Sequence, residues 1–308
     1  MDSLRFGPFK LPPESERVFD ADEEVFLLYT ELQSQSQDIS KGFRGLGHID
    51  SHKDVLTVKF DLEPPSLPHD QVQQKGKKGK KSGPVEVEIQ IAQDKTALRS
   101  RKGDTGSVLW HASVDFARTI LQQAHFPDPE SKGFLQADRL KECHILELGA
   151  GTGLLSIALS QLVKHYTVTD IDDLIPLIKK NIQLNIPKDS NSNVTVSGLD
   201  WLVLQNAPLQ SRRVNFLYDP PIDVLLVVDC IYHPSLLPSL VETIDFLTIP
   251  ERTVALVVVE LRAEDVIREF LQLWLSREHW QIWRVAGSVL GKPYAMWAGM
   301  KAEKASDS

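Results

Sequence analysis

Residues 145–159 read ILELGAGTGLLSIAL: an apolar run, glycines at Gly149, Gly151 and Gly153, then a second apolar run with helical spacing. Glycine between a strand and a helix permits a tight turn and lets the backbone touch a ligand at van der Waals distance. Asp170 closes the next apolar run, nineteen residues beyond Gly151, where a carboxylate can accept from both hydroxyls of a ribose. Together these features point to an adenosine-containing ligand in the crevice at the strand ends; the plainer reading is a tight turn with no ligand. The dinucleotide fingerprint is G-x-G-x-x-G, whereas the spacing here is G-x-G-x-G with Glu147 two residues ahead. A carboxylate there repels a pyrophosphate and suits a ligand carrying an ammonium and a sulfonium, the charges of S-adenosylmethionine.

Outward from this turn, apolar runs and helical segments alternate. CHILEL (143–148) precedes GLLSIALSQLV, TVTD precedes LIPLIKKNIQLN, and VTVSGLD runs into a loop. DVLLVVD leads to LLPSLVETIDFL, and TVALVVVEL to EDVIREFLQLWL. Strands alternating with helices of this length imply βαβ units and a parallel sheet covered on both faces. WQIWRVAG and YAMWAGMK have no helix between them and are expected to pair antiparallel through GSVLGKP, for seven strands in all. Upstream, VDFARTILQQA (114–124) and DEEVFLLYTELQ (22–33) have helical spacing. VLTVKF (55–60) and VEVEIQI (85–91) alternate apolar and polar, as strands with one wet face do. The Pro-, Gly- and Lys-rich stretch 63–84 between them contains KGKKGKK (75–81), read as a solvated disordered loop or as a nuclear-import or RNA-contact patch.

At 308 residues, with 42% hydrophobic and 25% charged content, the chain has the composition of a globular protein with one large α/β domain and an extension. A formal net charge of −8 argues against general binding to nucleic acid or anionic membranes and is compatible with a basic partner. Cys143 and Cys230, beside apolar runs, read as buried free thiols in a reducing compartment, and no Cys/His spacing resembles a metal site. With no secretory h-region and no run of about 18 apolar residues, the expected location is cytosolic, or shared between cytosol and nucleus.

ELGAGTG followed by TVTDID resembles the class I, seven-strand S-adenosylmethionine-dependent methyltransferases. TGSVLW (105–110), LDW (199–201), VVDCIY (227–232) and VELR (259–262) resemble the protein-lysine methyltransferases of methyltransferase family 16. FLLYTELQSQSQDI in the extension is most similar to the fungal ribosomal-protein lysine methyltransferases of the Rkm type. The resemblance implies an α/β fold with a doubly wound, mostly parallel seven-stranded sheet (a Rossmann-like methyltransferase fold) and an N-terminal β-containing extension. The expected boundaries are 1–104 for the extension, 105–302 for the methyltransferase domain and 303–308 for a disordered tail.

By the same resemblance, S-adenosyl-L-methionine is the cofactor, contacted by Trp110, Glu147, Gly149, Ala150, Gly151, Gly153, Asp170, Asp200, Trp201 and Val228. Glu147 would face its amino group, directly or through water, Asp170 would hold the ribose, and Trp201 with Asp200 would sit at the adenine. Trp110 is alternatively an aromatic staple between extension and sheet. Asp229 and Tyr232, the family's D-x-x-Y element, would be catalytic and shape the channel of a target lysine; alternatively Asp229 caps the next helix and Tyr232 packs. Glu260 and Arg262 match an acidic-x-Arg element facing the substrate side, or form a surface ion pair. His233 reads as a surface histidine. Asp219-Pro220-Pro221 mimics the loop of nucleic-acid amino-methyltransferases but precedes the fourth strand, so it reads as a turn. The implied substrate is a basic protein, with a ribosomal protein the leading choice, methylated by a monomer that binds neither nucleic acid nor membrane. The alternatives are a methyltransferase for RNA or a small amine, and a non-catalytic cofactor-binding module.

Overall fold

A computed structural model describes residues 5–35, 47–50, 52–65, 83–94, 106–127, 133–187, 192–291 and 293–303. The lysine-rich run 75–81 and residues 304–308 lie outside these. In chain order, β1 (Arg5–Phe6), β2 (Phe9–Lys10) and β3 (Glu16–Arg17) precede α1 (Ala21–Gln35), β4 (Val55–Leu62) and β5 (Val85–Ala92). Then come α2 (His111–His125), α3 (Ala137–Leu140), β6 (His144–Leu148), α4 (Leu154–Leu159), β7 (His165–Asp170) and α5 (Ile175–Asn185). β8 (Val194–Gly198), α6 (Trp201–Asn206), α7 (Leu209–Asn215), β9 (Val224–Val228), α8 (Leu237–Leu247), β10 (Val254–Glu260), α9 (Glu264–Leu275), β11 (Trp280–Arg284) and β12 (Tyr294–Lys301) complete the chain.

The central sheet has the order β3-β11-β12-β10-β9-β6-β7-β8. From β10 to β8 all neighbours are parallel. β12 is antiparallel to both β10 and β11, so the last two strands pair as the sequence predicts. The continuous apolar runs follow from burial on both faces. Ile145, Leu226, Val228, Leu256 and Val258 enter one core cluster, while their neighbours Leu146, Leu225, Val227, Ala255 and Val257 enter the other. Cys143 and Cys230 are buried free thiols. No helix among the described residues is long and apolar enough to cross a membrane.

Two features differ from the sequence expectation. The sheet has eight strands, because Glu16–Arg17 adds an antiparallel edge to β11, with Arg284 paired to Glu16. Two residues carry no hydrophobic period, so only the tertiary pairing defines this strand. The segment after β8 is helical, where a loop was expected, since Asp200 caps α6 by accepting from the amides of Leu202 (2.8 Å) and Val203 (3.3 Å).

β4 and β5 form a separate antiparallel pair whose inward residues Leu56, Val58, Phe60, Leu62, Ile89 and Ile91 are buried, in the alternation the sequence shows. The free edge of β5 is covered by asparagines one turn apart on α5. Asn181 accepts from the Ala92 amide (2.7 Å) and donates to the Ala92 carbonyl (3.0 Å). Asn185 does the same with Gln90, at 2.8 Å in each direction. Each side-chain amide therefore supplies the donor and acceptor that a neighbouring strand would supply. Asn181, fully buried, also donates to the Thr152 carbonyl at 2.9 Å, which ties the extension to the glycine turn. Asn181→Ala should lower stability to urea by about 2–3 kcal/mol through unpaired buried backbone groups, and Asn185→Ala, at an exposed bond, by about 1 or less. Equal losses would contradict the assignment.

Candidate active site

The chain leaves β6 and moves to β7 and β8, then returns to β9 on the other side of β6, so a crevice opens at the carboxyl ends of β6 and β9. The glycine turn forms its floor. Gly149 and Gly151 have φ of 63° and 57°, a conformation that side chains resist. Space excludes a Cβ as well: on Gly149 it would stand 2.7 Å from Cys230 Sγ, and on Gly151 2.9 Å from the Gly106 carbonyl oxygen. Asp170, at the end of β7, accepts from the Gly151 amide at 2.7 Å and from the Ile171 amide at 2.8 Å, which fixes the turn against the neighbouring strand.

Above the turn lies a cleft of about 550 Å³, a size common for small-molecule sites. Ten of the twelve cofactor and catalytic residues named from the sequence line it: Trp110, Gly149, Ala150, Gly151, Asp170, Asp200, Trp201, Val228, Asp229 and Tyr232. Two do not. Gly153, in left-handed conformation, starts α4 and packs against Ile178, one step behind the wall. Glu147 is 3% exposed and accepts from the Tyr166 hydroxyl at 2.9 Å. The alternation of β6 turns its side chain onto the sheet face instead of out past the strand end. Burial pushes the Glu147 carboxyl up to about 8, against the opposing Tyr166 hydrogen bond and with a smaller push from Asp170. Glu147, expected to face a bound ammonium directly or through water, therefore stands behind the cleft lining in this structure. Acidity is supplied instead by Asp170, Asp173, Asp200 and Asp229, against Arg262 as the basic residue of the lining. That set suits a cationic ligand and opposes a pyrophosphate.

The opposite wall is built where β9 and β10 end together. Asp229, at φ 59°, donates its amide to the Val258 carbonyl at 2.8 Å. Its carboxylate is 4% exposed and is held by the guanidinium of Arg262, Nη1 to Oδ1 at 3.1 Å and Nη2 to Oδ2 at 2.6 Å. The Glu260 amide also donates to Asp229 Oδ1, at 3.2 Å, and Arg262 Nη2 reaches Glu260 Oε2 at 2.7 Å. Burial works against the Arg262 charge, but Asp229 and Glu260 outweigh it and hold the guanidinium more firmly protonated than usual. Asp229 caps no helix; it is half of a forked ion pair. The ion pair considered for Glu260 and Arg262 exists, and Arg262 also lines the cleft.

Trp110 lines the cleft and also acts as a staple. Its ring lies 4.9 Å from Arg262 Cζ and meets His48 edge-on at 6.0 Å, while His111 donates to the Gly47 carbonyl at 2.8 Å. Tyr232 is 38% exposed at the rim, and exposed His233 pairs with Ser235, outside the lining. Asp219-Pro220-Pro221 is a bend before β9, with the Pro220 carbonyl accepting from His144 Nδ1 at 2.6 Å at the amino end of β6, away from the cleft. Sequence reasoning missed the Asp229–Arg262 bond, whose partners are thirty-three residues apart. The parallel register Val228↔Val258 brings them together.

A model of the lysine methyltransferase family matches residues 88–276, more than half of the chain. A diaminohydroxyphosphoribosylamino-pyrimidine deaminase of Schizosaccharomyces pombe is 33% identical over 189 residues, 60% of this chain and 41% of that protein. Ribosomal lysine N-methyltransferase 5 of Zygosaccharomyces rouxii is 25% identical over 295 residues, 83% of this chain and 90% of that protein. Protein-lysine methyltransferase METTL21E of Bos taurus is 30% identical over 159 residues, 52% of this chain and 49% of that protein. The chain thus spans less than half of the first and third relatives.

Because Glu147 has a folded-state pKa of about 8 against 4.5 for the free group, the folded protein binds more protons than the unfolded chain between those values. The stability that this group contributes is therefore full below pH 4.5 and is lost as pH rises towards 8, by an amount on the order of several kcal/mol. Urea unfolding at pH 5 and at pH 8.5 should show this loss in the protein and much less of it in Glu147→Gln. An identical slope in the variant would place the titration elsewhere.

Proposed function

The chain belongs to the lysine methyltransferase family, and from that premise we propose that it transfers a methyl group from S-adenosylmethionine to a lysine amine of a basic protein. The observation that carries this reading is one acid-lined cleft with the glycine turn on one wall and Asp229 with Tyr232 on the other. The residues fit the cofactor. The Gly149–Gly151 backbone offers a surface with no Cβ in the way, and Asp170 stands where ribose hydroxyls are accepted. Asp200 and Trp201 take the adenine side, Trp110 covers the cleft and the Val228 backbone closes it. When bound, S-adenosylmethionine supplies a methyl group on a sulfonium, an electrophile that leaves behind a neutral thioether.

The chain's own task is to present an uncharged amine. Free lysine has a pKa of ~10.4, so deprotonation at pH 7 costs about 4–5 kcal/mol at ~1.36 kcal/mol per unit. Entry into the cleft removes water from the amine and disfavours the ammonium. Tyr232 at the rim orients the amine through its hydroxyl, and Asp229 shapes the channel beneath it. Alignment at attack distance supplies much of the remaining barrier reduction. A net charge of −8 favours a basic protein over RNA. Similarity to ribosomal lysine N-methyltransferase 5 over 83% of the chain supports a ribosomal protein as the leading substrate.

Incubation with methyl-labelled S-adenosylmethionine and fractions of a lysate lacking the protein should place label on lysine in a protein band. Label in RNA or small molecules would overturn the substrate class, and cofactor binding without label would overturn catalysis. Asp170→Asn should weaken cofactor binding by about tenfold or more, the loss of a charged hydrogen-bond acceptor. Unchanged affinity by calorimetry would remove Asp170 from the cofactor site.

A further inference from the structure

Asp229 is the cleft carboxylate that the proposed reading sets beside the substrate amine, yet both of its oxygens are already engaged by Arg262. This bond is braced on every side. Arg262 also pairs with Glu260, stacks on Trp110 at 4.9 Å, and lies so close to Gly47 that a Cβ there would stand 2.4 Å from Nη2 and 3.0 Å from Cζ. The arrangement is preorganised, not a side chain that happens to reach across.

The chemistry of the proposed reaction gives this brace a purpose. A nearly buried, unpaired carboxylate facing an incoming lysine would hold it as ammonium, because an opposite charge within a few ångströms stabilises the protonated form by about one to three pKa units. The ammonium has no lone pair with which to attack. Asp229 lines the cleft and shares its cation with Glu260, the two side chains being 4% and 10% exposed, and without that cation Asp229 would act on the amine.

We propose that Arg262 is a positioning residue that occupies both oxygens of Asp229 and thereby sets the pH at which the target lysine enters as the neutral amine. The proposal rests on the reading of the cleft as the seat of a lysine amine, and it deepens that reading. The guanidinium suits the role: it stays charged at every relevant pH, and its planar fork spans both carboxylate oxygens, which an ammonium cannot do. The charged groups facing Arg262 are Asp229 and Glu260; His48 lies beyond the Trp110 ring, and Asp170, Asp173, Asp200 and Tyr232 complete the cleft. All of these remain in a variant at position 262, so a difference between profiles reports the guanidinium. Through Gly47 and Trp110, the N-terminal extension becomes part of the device, because residues 47–49 lie across 109–111 and Gly47 leaves the guanidinium the space a Cβ would take.

The test is the pH dependence of the initial rate of labelling, from pH 6.5 to 10. Ribosomal proteins from cells lacking the protein serve as the acceptor mixture, with methyl-labelled S-adenosylmethionine as donor. Arg262→Gln should move the rising limb to higher pH by about one to three units, so that about tenfold or more of the rate is lost at pH 7.5 and largely recovered at pH 10. Arg262→Lys, which keeps charge but not the fork, should shift it less. Gly47→Ala, which displaces the guanidinium without removing it, should shift it in the same direction. Cofactor affinity by calorimetry should stay within a few-fold in all three, and the last two variants carry the test if Arg262→Gln does not fold. Loss of rate with profiles parallel to that of the unaltered protein would overturn the proposal and leave the lysine reading standing. Failure of the unaltered protein to label lysine at any pH would overturn both.

Discussion

The hydrogen bond from the Gly151 amide to the Asp170 carboxylate, 2.7 Å long, is the contact on which the site depends. It ties the turn after one parallel strand to the end of the next, so the cleft has a floor of defined shape before any ligand arrives. Behind it, Asn181 holds the Thr152 carbonyl and the β5 edge at once, which makes the extension part of the same frame. The steric demands are consistent with this: a side chain on Gly149 or Gly151 would have to displace Cys230 or the Gly106 backbone.

The second organising fact is how buried charge is managed. Glu147 and Asp229 are both nearly inaccessible carboxylates, and the fold treats them in opposite ways. Glu147 has a phenol for a partner and its pKa is raised, so the low-dielectric core is spared a charge near neutrality. Asp229 has a guanidinium, so its charge is matched. One glutamate therefore belongs to the interior, and one aspartate belongs to a wall whose balance of charge, under the proposed reading, governs an incoming amine.

The extension, which a reading by domain boundaries sets apart, is continuous with the rest. Leu56, Phe60 and Ile91 share a core cluster with Ile145, Val224 and Leu256 of the central sheet, and the 47–49 segment reaches the rim of the cleft through Trp110. The family match begins at residue 88, within β5.

The sequence alone determined the parallel core of the sheet, because double-sided burial requires continuous apolar runs such as VLLVV, and the position of the ligand crevice, because only glycine fits the backbone of GAGTG. It also located ten of the residues that line the cleft, since strand ends are local features. What tertiary structure decided was direction and partnership. The pleat turned Glu147 inward, a two-residue pairing made Glu16–Arg17 a strand, and the register of β9 on β10 joined Asp229 to Arg262. A local pattern fixes what a residue can be, but which groups it meets depends on segments that are distant in the chain and become neighbours only when the sheet assembles.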